Sequence, residues 1–205
     1  MKKQPSIDFL NVAKTPIFWW FRANNLFTSA VVLLESNEKA NAAYFGPMPK
    51  TSGIVKLSKR QQRAAQRLHL SAVAHMLFGL AFEVALKGML VAKRPEFVGA
   101  DKLSESLTGK HELVELFKTA EIPLSHAEQR LVRRLSQSIL WAGRYPVPKK
   151  CAAYQYEELP DGSCVLPGDK VPGDIEAIMI LWNRVHSIIQ NDPSLPKYKS
   201  VQPLA

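Results

Sequence analysis

Met76-Leu77-Phe78-Gly79-Leu80-Ala81-Phe82-Glu83-Val84-Ala85-Leu86-Lys87-Gly88-Met89-Leu90 is an apolar run interrupted by two charges one helical turn apart. Its apolar positions cover every side of a helix, which predicts a helix buried at the centre of its fold. An exposed Glu–Lys pair at this spacing contributes about 0.2–0.5 kcal/mol, too little to account for two ions on an apolar face. Isolated buried ions are far more costly, so Glu83 and Lys87 must pair with each other or with groups elsewhere. Two later segments can supply partners, Gly109-Lys110-His111-Glu112-Leu113 and Gly143-Arg144-Tyr145-Pro146. One reading is a buried network with His111 or Arg144 that fixes helix register. The other is a polar cleft in which Lys87 meets a phosphate and Glu83 a base or ribose.

The small residues Ala74, Gly79, Ala81, Ala85 and Gly88 would let a second helix approach closely. That offsets a mid-helix glycine's cost of about 1 kcal/mol. Ser58 and Gln61 have capping-box spacing and open a helix from 59 to about 93, stopped by Pro95. Upstream, Ile17, Trp20, Asn24, Phe27, Val31 and Leu34 predict a helix from about 15 to 35, ahead of the loop Phe45-Gly46-Pro47-Met48-Pro49. Downstream come a short helix from His111 to about Ala120, then a capping box at Ser125 and Glu128 opening a helix that ends at Gly143. Leu131, Leu135, Ile139 and Ala142 line its inner face, while Arg130, Arg133, Arg134 and Gln137 face elsewhere. A last helix runs from an N-cap at Asp174 to about Asn191. The fold class is all-α, an up-and-down bundle of about five helices with a small β-hairpin near 154–166. It is one domain over 1–205, with a core of about 15–191 and a frayed tail over 192–205.

The chain has 205 residues, is 46% hydrophobic and carries a formal charge of +9, which favours an anionic partner. Cys151 and Cys164 flank a turn at Pro160-Asp161-Gly162 whose register does not oppose their sulfurs, so both read as free thiols. The histidines at 69, 75, 111, 126 and 186 are too scattered for a metal site, and no cofactor is implied. The basic N-terminus lacks the apolar core of a signal peptide. His75, Glu83 and Lys87 interrupt the longest apolar run, leaving it short of a membrane span, so the expected location is cytoplasmic.

The order of these features resembles the HEPN superfamily of helical bundles. Trp20 to Leu33 looks like that family's first helix, and Ala81-Phe82-Glu83-Val84-Ala85-Leu86-Lys87 like the acidic-x-x-x-Lys core of its second. Gly109-Lys110-His111-Glu112-Leu113 is similar to the family's Gly-His-Asp/Glu-Leu turn, and Arg144-Tyr145-Pro146 to a later Arg-Tyr ending. The resemblance covers about 17–148. It implies a helical bundle, often a homodimer, with some members acting as RNases in toxin–antitoxin and phage-defence systems and others only binding nucleotides or partners. The RNase branch carries an Arg, then four to six intervening residues, then a His. After Arg144 those positions hold Lys149, Lys150 and Cys151, none of which replaces an imidazole near neutral pH. The spacing recurs from Arg63 to His69, in the first half of the long second helix rather than near the end of a later one.

The basic residues carry the stronger functional signal. Lys56, Arg60, Arg63 and Arg67 recur at helical spacing and crowd the first turns of a helix, against its dipole. Arg130, Arg133 and Arg134, then Lys149 and Lys150, would extend such a patch; a merely solvated face is the alternative. His111 could cap its helix, Arg144 could answer a helix C-terminus, and Tyr145 could stack on a base or anchor a helix end. Of the neighbours Trp19 and Trp20, one points inward and the other is free to mark a dimer contact. The chain therefore reads as a non-catalytic RNA- or nucleotide-binding protein, an accessory component of a defence or mobile-element locus. The alternatives are a metal-independent endoribonuclease using Arg63 and His69, or Arg144 with another base, and a protein-interaction module without nucleic acid.

Overall fold

The computed structural model describes residues 7–45, 58–65, 70–99, 102–108, 111–142, 157–159, 162–165, 171, 173–193 and 195. It is mostly helical, with α1 (Ile7–Lys14), α2 (Pro16–Phe45), α3 (Lys59–Ala65), α4 (Leu70–Lys93), α5 (Glu105–Thr108), α6 (Leu113–Thr119), α7 (His126–Gln137) and α8 (Asp174–Asn191). A 3-10 turn, Pro95–Phe97, follows α4, and a π-helical turn, Ser138–Ala142, continues α7. The strands β1 (Glu157–Glu158) and β2 (Cys164–Val165) pair antiparallel, with Glu157 opposite Val165 and Glu158 opposite Cys164.

α4 is the axis of the fold. It packs along α2 and also meets α6, α7 and α8. The two long helices run antiparallel: a methyl added at Gly88 would lie 2.6 Å from Trp19 Cβ, and the rings of Phe27 and Phe78 lie 5.0 Å apart. At Gly79 a methyl would come 2.9 Å from the Leu135 carbonyl and 2.8 Å from Ile139 Cγ1, so the glycines accommodate helices on two sides. Phe27 stacks on Trp182 at 4.3 Å, and Phe82 meets both Trp182 and Phe117, an aromatic cluster joining α2, α4, α6 and α8. Each such buried side chain contributes about 1.5–3 kcal/mol through burial.

Both expected capping boxes form. The Gln61 N–H donates to Ser58 Oγ and the Ser58 N–H to Gln61 Oε1, and Ser125 and Glu128 exchange the same bonds. Several boundaries differ from expectation. The first long helix extends to Phe45 rather than about 35, because small or buried Ala30, Leu34, Asn37 and Ala40 continue the inward stripe. Ahead of it α1 is separated at Thr15, where the following Pro16 disfavours helical backbone. The helix expected over 59–93 is described as two, α3 and α4, with 66–69 outside the described residues. Asp174 is not an N-cap but the first residue of α8; Gly173, at φ 85°, precedes it and suits the left-handed turn. The tail is not wholly frayed, since Leu195 is buried and Asp192 pairs with Lys93 at 3.4 Å.

The hairpin turn has the Gly162 N–H donating to the Leu159 carbonyl and the Leu159 N–H to Ser163, with Gly162 at φ 79°. Cys164 is a free, exposed thiol; Cys151 lies outside the described residues. Trp20 is buried, but Trp19 is no spare dimer contact: it is half-buried, packs on Gly88 and donates from Nε1 to the Ala13 carbonyl at 2.9 Å. Among the described residues Leu70–Lys93 is the one helix long and apolar enough to cross a membrane, and most of it is enclosed by the rest of the fold.

Candidate functional site

Glu83 and Lys87 lie on the α4 face turned toward His111, which enters α6. Lys87 Nζ is 2.5 Å from Glu83 Oε1, and their side chains are 8% and 7% exposed. His111 Nδ1 lies 3.1 Å from Oε1 and 3.0 Å from Oε2 of the same carboxylate. A carboxylate only accepts, so Nδ1 carries the hydrogen and Nε2 is the other ring atom, on a side chain 45% exposed. The entry to α6 is fixed from the opposite side. The Leu113 N–H donates to Ser136 Oγ at 2.9 Å, and Ser136 in turn donates to the Val132 carbonyl. The sequence argument that two buried charges need a distant partner is met by His111. Arg144 and Tyr145 lie outside the described residues.

A second feature lies between α2 and α3. Lys39, Arg60 and Arg63 rim a groove of about 320 Å³, and Ala40, Ala43 and Ala64 complete its lining. Packing of α3 on α2 builds it, with Gln61 buried and held in its capping box. Among the described residues that line it there is no carboxylate. The nearest recorded anionic contact is Glu35, 4.0 Å from Lys39, with side chains 61% and 82% exposed, so solvent screens the pair heavily. The groove and the Glu83 cluster are separate. In the antiparallel register that sets Trp19 against Gly88, Glu83 falls opposite α2 near residue 23, about 24 Å along the helix from Lys39.

The basic residues singled out in the sequence divide. Arg60, Arg63 and Arg133 are exposed. Arg134 is not a free cation: its side chain is 11% exposed, donating to Asp174 Oδ1 at 2.5 Å and Glu157 Oε1 at 2.9 Å. Those contacts fix the hairpin and the start of α8 to α7, so the guanidinium of Arg134 is engaged in a structural clasp. Arg130, 3.9 Å from Glu157, is partly engaged in the same way. Lys56, Arg67, His69, Lys149 and Lys150 lie outside the described residues, and with them the Arg63–His69 pairing. Lys39 was missed because it sits beyond the helix end expected near 35. Its signal was the continuing stripe through Asn37 and Ala40. Among the described residues no group of three His, Cys, Asp or Glu side chains is arranged to hold a metal. No protein-family model, curated protein or solved structure matches the chain.

Proposed function

We propose that this is a HEPN-like, non-catalytic protein that binds RNA or a nucleotide, phosphates first, in the groove rimmed by Lys39, Arg60 and Arg63. The supporting observation is the convergence of three cations from two helices on one concavity whose described lining residues include no carboxylate. Guanidinium groups suit phosphate oxygens through bidentate donation, and the alanine surface leaves room for a sugar or base beside them. The overall charge of +9 would speed capture of such a ligand. Service as an accessory component of a cytoplasmic defence or mobile-element locus rests on the family resemblance, as does a homodimer. The exposed apolar residues Val12, Phe18, Phe21 and Val32 offer a face for a second copy.

The test is fluorescence anisotropy with a labelled single-stranded RNA, and with a labelled nucleotide, across a salt series. Three phosphate contacts give a slope of log K against log salt of about −2, or roughly a twentyfold loss between about 50 and 200 mM. Arg60→Ala with Arg63→Ala should flatten that slope to about −0.7. Salt-insensitive binding, or binding unchanged in the double variant, would sink the proposal.

A further inference from the structure

The groove reading makes no use of the half-exposed imidazole of His111. A buried carboxylate accepts from its Nδ1 at 3.0 Å, and a buried ammonium lies 2.5 Å from the same carboxylate. An imidazole held this way has one tautomer and one orientation, with its lone pair on Nε2. Among the described residues the hydrogen bonds of His111 run to Glu83 alone, and none of them places a hydroxyl or thiol against its ring. The reactive atom is then Nε2 itself. The chain's excess positive charge, despite Glu112 alongside, concentrates anionic reagents over neutral ones.

We propose that His111 is a phosphoryl-accepting histidine, its Nε2 taking a phosphoryl group from small activated donors of the phosphoramidate or acyl-phosphate class. With phosphoramidate, the Nε2 lone pair forms a bond to phosphorus while the donor's P–N bond breaks and its electron pair leaves on ammonia. The ring, now positive, passes its Nδ1 proton to Glu83. His111 is the nucleophile and Glu83 the positioning residue and proton acceptor.

The experiment treats the whole protein with phosphoramidate and follows His111 and the exposed His126 by phosphorus NMR and by peptide mapping that preserves acid-labile phosphate. The expected result is phosphorylation on Nε2 of His111, about a hundredfold faster than on His126. His111→Gln should abolish the fast phase. The variant Glu83→Gln with Lys87→Met, which leaves no buried charge unpaired, should slow His111 to the His126 rate with helical content unchanged. Equal rates at the two histidines of the wild type, or a rate in the double variant equal to wild type, would overturn the assignment. The wild-type comparison needs no variant to fold, and neither outcome touches RNA binding at the groove.

Discussion

Lys87→Met removes the ammonium that faces Glu83 and leaves a carboxylate 7% exposed with His111 as its remaining partner among the described residues. Breaking a buried pair from one side costs about 3–5 kcal/mol, because the surviving ion keeps its desolvation penalty and loses its neighbour. The His111 contact places the expectation near the lower end, about 3 kcal/mol. An exposed pair at the same spacing would lose only about 0.2–0.5 kcal/mol. With a urea m-value of about 2 kcal/mol/M, the two cases predict midpoint shifts of about 1.5 M and at most about 0.25 M. Urea titration followed by far-UV circular dichroism separates them readily. Adding Glu83→Gln to Lys87→Met removes both charges and should return the midpoint to within about 0.5 M of wild type, a coupling that independent sites would not show. A single-variant shift below about 0.25 M, or a double variant as unstable as the single, refutes the buried network.

Gly88→Ala would gain about 1 kcal/mol of helix propensity but place a methyl 2.6 Å from Trp19 Cβ, so α2 and α4 must separate. The net expectation is a loss of about 1–2 kcal/mol by the same titration; a stabilised variant would mean the helices are not in contact there. Acid should destabilise the fold in two stages. Burial holds His186 below the ordinary histidine value, so the unfolded chain binds that proton first, and stability falls as pH drops below about 6.5. Burial raises the carboxyl of Glu128, but hydrogen bonds from Ser125 and the charge of Arg184 outweigh it and lower the pKa. Its contribution is present above the ordinary glutamate value and lost as pH falls through the lower folded one. Thermal melts against pH check both: His186→Gln should remove the upper stage and Glu128→Gln the lower.

How far the sequence specifies these boundaries depends on how local the deciding interaction is. The starts of α3 and α7 could be read because Ser58 with Gln61 and Ser125 with Glu128 satisfy backbone groups within one turn. The end of α6 falls at Thr119, beside the expected Ala120, but the turn that closes it was less visible. It closes with the Ile122 N–H on the Phe117 carbonyl and the Glu121 N–H on Lys118, with Glu121 at φ 61°. That geometry ordinarily calls for glycine, and burial of Ile122 holds a glutamate in it instead. The continuation of α2 past 35 depends on what covers Asn37 and Ala40, which a periodicity count stopped at the last large apolar residue does not register.

The same distinction explains why one ionic cluster could be foreseen and another could not. Glu83 and His111 are 28 residues apart, yet the run around Glu83 is so apolar that burial follows from composition, and a buried carboxylate needs donors wherever the chain can bring them. Arg134 flanks the apolar stripe of α7, three residues after Leu131 and next to Leu135, where its guanidinium is readily assigned to solvent. What covers it arrives from 23 and 40 residues further on, as Glu157 in a two-residue strand and Asp174 at the start of α8, and nothing local to α7 signals either approach. An amphipathic pattern identifies the side a helix turns to its largest neighbour. It does not exclude a second neighbour on the polar side, and carboxylates there turn a presumed ligand contact into a structural clasp. Arg60 and Arg63 differ from Arg134 in this respect: the groove they rim has alanines and a third cation for company, and no acid among its described lining residues.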